Sequence, residues 1–418
     1  MTPFTRRAAT RHPATQAGTD PMTFQTDAKT SDPSDAERSR RRFLGACALG
    51  AAGALLLPAQ AGAAAPAASP RPQWPGYRRA TVIDALSGGP LDTRDTTDYA
   101  PLSARSLADA RASGLTACTI TVSGVGSYLN DYALTMRNIA YWNAQQALHE
   151  DALSLVRSGA DLVDAKRSGR LGMIYGFQDA TPFGEDSERF DTFHGLGVRV
   201  YQLTYNRRNL VGDGCLEPAN AGLSRFGREL VEKIDAGRGL IDLSHAGQRT
   251  TLDAIAASRH PVTISHTGCA ALADNPRNKS DEELRQLAAR GGVAGIYLMP
   301  FLRQQGQPTA EDLIRHIEHA INVCGEEHVC LGTDGMISSI DLTPEYRERL
   351  RAVVEERIRL GISAPGESGD VVTFLPDLNQ PDRFDRLAFL LSRRGHSDAR
   401  IEKILGSNYA RLFTDVCG

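Results

Sequence analysis

Short apolar segments rich in β-branched residues alternate with helix-like segments along most of this chain. Eight of the apolar segments have the length and composition of buried strands, and they lie at residues 81–86, 115–123, 171–178, 198–205, 240–245, 262–267, 293–299 and 329–334. A buried strand followed by a helix, repeated eight times, is the pattern of a closed parallel barrel. The sequence therefore predicts an α/β fold of the (β/α)8, or TIM-barrel, class.

The segments between the strands carry helix start and stop signals. The clearest is SDEE at residues 280–283, a capping box that opens a helix running to about residue 290, where two glycines end it. An open, doubly wound sheet is the alternative fold, but no glycine-rich phosphate fingerprint follows the first strand. No linker or internal repeat divides the chain after the N-terminal region, so we predict one domain over residues 75–418.

The first part of the chain has the composition of a targeting segment. The sequence SRRRFL at residues 39–44 matches the twin-arginine pattern, and an apolar stretch rich in Ala, Gly and Leu follows it. We predict a twin-arginine signal peptide over residues 39–65, preceded by a disordered extension over residues 1–38. The expected partner is the twin-arginine export machinery, and the expected location is the periplasm or the exterior.

Charge and cysteine content exclude few classes of function. The formal net charge of −3 and the pI of about 6.4 argue against a nucleic-acid partner. Six cysteines follow the signal segment without a CxxC pair. Free buried thiols and a disulfide, with Cys324 and Cys330 as the nearest pair in sequence, both stay open.

Chemically active side chains stand at the ends of three predicted strands, where the catalytic residues of a barrel lie. His245 and His266 end consecutive strands in the matching contexts LSH and ISH, and Asp334 ends the eighth strand in GTDG. Two neutral imidazoles and a carboxylate can hold one divalent transition metal, and such a metal activates water near neutral pH. Alternatively, the histidines form hydrogen bonds in a polar barrel top. His316 and His319 lie on an amphipathic segment and are predicted to be surface residues.

Two loops after predicted strands add positive charge and amide groups to the same face. Arg277 and Asn278 follow His266, and Asn206 opens the sequence NRRN after the fourth predicted strand. A guanidinium there can grip a carboxylate with two hydrogen bonds, although a solvated loop arginine is the alternative. The predicted ligand is a small anion such as a peptide or amino-acid carboxylate.

Several short motifs together resemble the renal, or membrane, dipeptidase family of the peptidase M19 class. They are IDLSH at residues 241–245, SH at 265–266, PRN at 276–278, GTD at 332–334 and ILGSNY at 404–409. The resemblance extends in order from residue 82 to about residue 413. It implies a metal-dependent barrel that hydrolyses dipeptides with two zinc ions and tends to form dimers. By position, His245 and His266 match two metal ligands of the family.

Other positions are assigned by the same resemblance. Asp334 matches the catalytic aspartate, and Arg277 matches the arginine near the substrate carboxylate. The family's His-x-Asp after the first strand is replaced by Leu86 and Gly88, its bridging glutamate by Gln178, and a histidine near the substrate by Tyr205.

A two-metal centre of the family type is therefore not expected. Leucine and glycine offer no donor atom, and the neutral amide of Gln178 lacks the charge that holds two cations together. Asp84 points to the same side of its strand as Leu86; it is either a carboxylate available to the site or a core residue bonded to the backbone.

We accordingly predict an exported, dipeptidase-like metallohydrolase that cleaves a dipeptide or similar small amide with one metal, zinc. His245, His266 and, as a weak ligand, Gln178 would hold the metal. Asp334 and Tyr205 would be catalytic, and Arg277, Asn278 and Asn206 would bind substrate. The alternative is an altered periplasmic barrel that binds or matures a peptide-derived metabolite without hydrolysis. A homodimer is a further expectation.

Overall fold

The computed structural model of the protein describes residues 73–92, 94, 99–126 and 131–418. The predicted extension and signal peptide, residues 1–38 and 39–65, lie outside the described residues. The described residues all belong to one compact unit. No helix among them has the length and apolar character needed to cross a membrane.

The described strands form one parallel sheet. They are β1 (Ile83–Gly89), β2 (Ala117–Thr121), β3 (Leu153–Leu155), β4 (Leu171–Phe177), β5 (Val198–Gln202), β6 (Leu240–Asp242), β7 (Thr263–Thr267), β8 (Val293–Ile296), β9 (Val329–Leu331) and β10 (Gly335–Met336). Each of the eight predicted strands is present, and the sheet order is β10-β1-β2-β4-β5-β6-β7-β8-β9.

The sheet closes on itself through its last two strands. β9 pairs with β8, and three residues later β10 pairs with β1, with Ser87 opposite Gly335. The backbone N–H of Asp334 donates to the carbonyl of Leu86 at 2.9 Å between them. β9 and β10 thus act as one interrupted eighth strand, and the predicted (β/α)8 barrel is confirmed.

Helices follow the strands on the outside of the barrel. They span Ala104–Ser113, Tyr132–Leu148, Gly159–Ser168, Arg189–Gly195, Arg225–Ala236, Gln248–Ala257, Asp281–Ala289, Ala310–Cys324, Pro344–Arg359, Arg383–Arg394, Asp398–Glu402 and Asn408–Cys417. The capping box at Ser280 is confirmed, because the Ser280 hydroxyl and the Glu283 carboxylate each accept from the other residue's backbone N–H.

One predicted helix is shorter than expected. The sequence pattern from about residue 128 to residue 156 predicts one long amphipathic helix, whereas among the described residues the helix covers Tyr132–Leu148 and the chain then forms β3, which pairs with the first half of β4. A strand of three residues is too short to produce a clear alternation in the sequence.

Asp84 fastens the closure of the barrel. Its carboxylate accepts from the backbone N–H of Thr333 at 2.7 Å and from the Thr333 hydroxyl at 2.6 Å. Burial raises the pKa of this carboxyl to about 7, and the bonds from Thr333 oppose that shift. Asp84 is therefore a core residue that ties β1 to the eighth strand, and both of its oxygens are occupied.

A segment after the helix Pro344–Arg359 crosses the carboxyl ends of the strands. Residues 360–367, here named the cap segment, accept hydrogen bonds from side chains in the two loops that follow β5 and β7. Arg207 donates to the Leu360 carbonyl, Asn206 to the Ile362 carbonyl and Asn275 to the Pro365 carbonyl. The cap segment therefore covers the mouth of the barrel.

Candidate active site

His245 and His266 meet at the mouth of the barrel. His266 lies in β7, and His245 follows β6 by three residues, so neighbouring parallel strands carry both rings to the same edge. Their Nε2 atoms are 2.9 Å apart, and both residues are buried. The sequence prediction that these two histidines lie together is confirmed by this contact.

Hydrogen bonds on the far side of each ring assign the protons. The Asn206 amide nitrogen donates to the Ile362 carbonyl, so Asn206 Oδ1 is the atom that accepts from His245 Nδ1, at 2.5 Å. His245 is therefore protonated on Nδ1, and its Nε2 carries a lone pair.

The proton of His266 is assigned in the same way, from the donors and acceptors around its ring. The hydroxyls of Ser244 and Ser265 both donate to the buried carboxylate of Asp242, at 2.6 and 2.5 Å. With Asp242 ionised, Ser265 Oγ has no proton left for His266 Nδ1, 2.8 Å away, and must accept from it. The Nε2 atoms of both histidines then present lone pairs to one point, which is the arrangement of two metal ligands.

The electrostatic environment keeps both rings neutral. Burial lowers the pKa of His245 well below its usual value, and the positive charge of Arg277 lowers it further. Burial and Arg277 act on the pKa of His266 in the same direction. Neutral imidazoles at physiological pH are the form that binds metal.

Arg277 lies beneath the mouth and contacts one of the histidines. Only 2% of its surface is exposed. Its Nη1 donates to the Ser244 carbonyl at 2.7 Å and its Nη2 donates to His245 Nε2 at 3.1 Å. The interpretation of Arg277 as a solvated loop residue is therefore wrong, because the guanidinium is part of the buried site.

Tyr205 stacks on His245, with ring centroids 4.2 Å apart and an angle of 26° between the rings. Arg357 donates to the Tyr205 hydroxyl oxygen at 3.1 Å and forms a two-bonded ion pair with Glu367, at 2.5 and 2.8 Å. Because the tyrosine oxygen accepts from Arg357, its own proton is available to another acceptor. The cap segment is thus linked to His245 through Arg357 and Tyr205.

Asp334 completes the group at the junction of β9 and β10. Its backbone has a φ of 54°, a left-handed conformation that is costly for a residue with a side chain. Burial raises the pKa of its carboxyl to about 6, and the nearby charges of Arg277 and Arg357 oppose the rise. A carboxyl with this pKa is ionised at neutral pH and still basic enough to accept a proton.

Two of the predicted substrate-binding residues have other roles. Asn206 is buried, and its amide orients His245 and fastens the cap segment. Asn278 donates to the carbonyls of Ala273 and Phe301 and accepts from the Tyr297 hydroxyl. Both polar atoms of the Asn278 amide are thus engaged, with Ala273 in its own loop and with Tyr297 and Phe301 after β8, and the predicted substrate contact of Asn278 stays a prediction.

Gln178, the predicted weak metal ligand, is directed to a neighbouring strand. Its amide nitrogen donates to the Thr121 hydroxyl at 2.8 Å, and its backbone N–H donates to the Ser123 hydroxyl at 3.0 Å. Among the described contacts, none joins Gln178 to either histidine. The structure thus does not bring this residue to the histidine pair.

A side chain fills the space beside Gly88, a position that the sequence resemblance assigns to a first-strand metal ligand of the family. A Cβ atom built on Gly88 would lie 2.4 Å from Met336 Sδ and 2.8 Å from Met336 Cε. Leu86 beside it is buried and has no donor atom. These residues do not fit a two-metal centre, whereas the converging Nε2 atoms of His245 and His266 offer two ligands to one metal. No group of three or more His, Cys, Asp or Glu side chains within the described ranges is already arranged around a single point for a metal.

Sequence reasoning missed Arg357 and Glu367 and misjudged His316. Arg357 and Glu367 lie in a charged helix and a loop that no strand-end rule singles out. His316 is buried, not a surface residue, because its ring bonds the Cys269 backbone N–H and the Leu302 carbonyl. The described cysteines, Cys118, Cys215, Cys269, Cys324, Cys330 and Cys417, are all free thiols.

Comparisons with known proteins agree with this geometry. The sequence pattern of the membrane dipeptidase family (peptidase family M19) matches residues 79–356. A dipeptidase of Clonostachys rogersoniana is 28% identical over 287 residues, which cover 68% of this chain and 65% of that protein. A dipeptidase of Claviceps purpurea is 26% identical over 273 residues, 64% of this chain and 56% of that protein. The chain thus spans less than two thirds of these two relatives.

Solved structures share the barrel. An amidohydrolase of Pseudomonas aeruginosa is 32% identical with a TM-score of 0.69, covering 82% of this chain and 98% of that one. A metallopeptidase of Rhodobacter sphaeroides, solved with a phosphinate mimic of the dipeptide L-Ala-D-Ala, has a TM-score of 0.65 at 16% identity over 81% of this chain and 99% of that one. The latter likeness shows the fold alone.

Proposed function

Because the chain belongs to the membrane dipeptidase family, peptidase family M19, we propose that it hydrolyses a dipeptide or a similar small amide at the mouth of its barrel. We further propose that it uses one divalent metal, zinc, bound by His245 and His266. The observation that carries the proposal is the convergence of the Nε2 atoms of His245 and His266, 2.9 Å apart, at the barrel face where catalytic residues gather.

The bound metal would lower the pKa of a water molecule and polarise the scissile carbonyl. Asp334 would accept the proton of that water on its carboxylate and return it to the leaving amine. Tyr205 would donate its hydroxyl proton in a hydrogen bond to the carbonyl oxygen as negative charge develops there. Asn206 holds His245 in the required tautomer, as partners of metal-binding histidines do.

The charges around the mouth suit a zwitterionic substrate. The guanidinium of Arg277 supplies positive charge and the carboxylate of Asp334 supplies negative charge, whereas Arg357 and Glu367 pair with each other. A dipeptide with free ends carries one charge of each sign. We assign its terminal carboxylate to Arg277, which has N–H groups beyond the two engaged with Ser244 and His245.

A panel of L,L- and L,D-dipeptides tests the proposal. We expect turnover that a chelator abolishes and that zinc restores, and we expect the double variant His245→Ala, His266→Ala to lack it. The double variant His316→Ala, His319→Ala is the control, because neither residue contacts the site residues in the described structure. Turnover that survives both the chelator and the loss of His245 and His266 would contradict the proposal.

A second function is favoured by one observation. Met336 fills the space beside Gly88, where the resemblance would place a first-strand ligand. This filled space supports a barrel that binds or matures a peptide-derived metabolite without hydrolysis. In that case, dipeptides would raise the melting temperature and none would be turned over. The same panel therefore separates the two functions.

We also propose that the protein is exported and that it forms a homodimer. The twin-arginine pattern at residues 39–44 supports export to the periplasm or the exterior. Replacing Arg40 and Arg41 by lysine should retain the protein in the cytoplasm, as cell fractionation would detect, and unchanged export would contradict the proposal. A homodimer, expected from the family resemblance, is tested by the mass of the purified protein in solution.

A further inference from the structure

The candidate metal site already contains a cation that belongs to the protein. Arg277 is buried, and its Nη2 donates to His245 Nε2 at 3.1 Å. A second bond, from Nη1 to the Ser244 carbonyl at 2.7 Å, fixes the guanidinium in place. An arginine side chain keeps its charge at any physiological pH.

The contact uses the lone pair that a metal would need. His245 donates its only ring proton, on Nδ1, to Asn206, so Nε2 has a single lone pair. That lone pair either accepts a hydrogen bond from Arg277 or coordinates a metal. Two positive charges this close also repel each other strongly in a buried site.

We propose that Arg277 and the divalent metal compete for His245 Nε2, so that metal binding displaces the guanidinium from the histidine pair. This inference rests on the proposed single-metal site. Nη1 remains bonded to the Ser244 carbonyl, and the freed N–H groups become available to a carboxylate. Metal and carboxylate ligand therefore bind cooperatively, and by thermodynamic linkage each strengthens the binding of the other.

Zinc affinity of the full chain, measured by competition with a chromophoric chelator, tests the competition. Arg277→Met removes the competing cation, and we expect zinc to bind about ten- to a hundredfold more tightly, the range expected when a hydrogen bond to a charged donor no longer has to be broken. Arg207→Met is the matched control, because Arg207 is exposed at the same mouth and bonds the Leu360 carbonyl instead. Its zinc affinity should equal that of the wild type.

A second variant tests the competition in case Arg277→Met does not fold. Arg277→Gln removes the charge but keeps an N–H donor for the Ser244 carbonyl, and it should also bind zinc more tightly than the wild type. Unchanged or weaker zinc binding in a folded Arg277→Met or Arg277→Gln protein would overturn the competition.

The histidine variant separates this inference from the proposed function. If His245→Ala abolishes zinc binding while Arg277→Met leaves the zinc affinity unchanged, the proposed metal site is supported and the proposed competition is refuted. If His245→Ala leaves zinc binding intact, the metal site and the competition are both refuted. Cooperativity is measured with glycine as the carboxylate probe, and we expect glycine to tighten zinc binding in the wild type but not in Arg277→Met.

Discussion

The contact between Gly88 and Met336 predicts a measurable coupling between these two positions. Adding a Cβ with Gly88→Ala would place it 2.4 Å from Met336 Sδ, whereas apolar contacts settle at about 3.5–4.0 Å. The thioether must therefore move by more than an ångström in a buried place. Overpacking of this kind costs about 1–3 kcal/mol, and the flexibility of methionine favours the lower half of that range.

The assay is a double-mutant cycle on the free energy of unfolding, measured by urea denaturation. Met336→Ala alone creates a cavity, but it also removes the atoms that clash with residue 88. In the double variant, the cost of Gly88→Ala should disappear, giving a coupling of about 1–2 kcal/mol. Gly195→Ala is the control, because a Cβ there meets nothing within 4 Å. Additive effects within about 0.5 kcal/mol would refute the reasoning.

The same contact limits any attempt to rebuild the family's second metal position. Leu86→His with Gly88→Asp and Gln178→Glu supplies the missing donor atoms, but the new aspartate would enter the space of Met336. We therefore expect a second zinc equivalent only when Met336→Ala is added. A second equivalent in the triple variant alone would show that Met336 moves aside freely.

Three further predictions concern pH, the cap segment and catalysis. Burial raises the pKa of Asp84 from 3.8 to about 7, so between these pH values the folded state keeps a proton that the unfolded state loses. The free energy of unfolding therefore falls by up to roughly 4 kcal/mol as pH rises through this window. The destabilisation by Asp84→Asn should shrink over the same window, and a pH-independent destabilisation in denaturation curves would contradict this prediction. Glu367→Gln breaks a mostly buried ion pair and should lower the free energy of unfolding by about 3 kcal/mol. The control Glu356→Gln, in a more exposed ion pair, should change it by less than about 1 kcal/mol. Equal effects would contradict the prediction that the ion pair of the cap segment stabilises the fold. Tyr205→Phe keeps the stacked ring but loses the hydroxyl, and kcat should fall about a hundredfold with little change in KM; an unchanged kcat in steady-state assays would exclude the proposed donor.

The barrel was predictable because parallel strands buried on both faces appear as apolar runs, as in β4 and β8. The strand-end rule then identified His245 and His266 directly. Contacts between distant segments were not predictable. The cap segment lies more than 150 residues beyond Asn206, which it binds, and no local pattern marks such a pairing.

Burial of polar side chains was the other limit. Arg277 and Asn278 stand in a loop of polar residues, and a sequence of this kind gives no sign that both side chains turn inward. Similarly, the helical spacing of His316 does not reveal that the Leu302 carbonyl packs against it. Each of these side chains has at least one backbone partner, and residue types alone do not reveal where such a backbone atom lies.

The stoichiometry of zinc at saturation tests the central claim most directly. The site offers one pair of converging imidazole nitrogens, and Met336 fills the space beside Gly88. Elemental analysis of the zinc-saturated wild type should give one zinc ion per chain, and the double variant His245→Ala, His266→Ala should give none. Two zinc ions in the wild type, or one zinc ion that the double variant retains, would contradict the account.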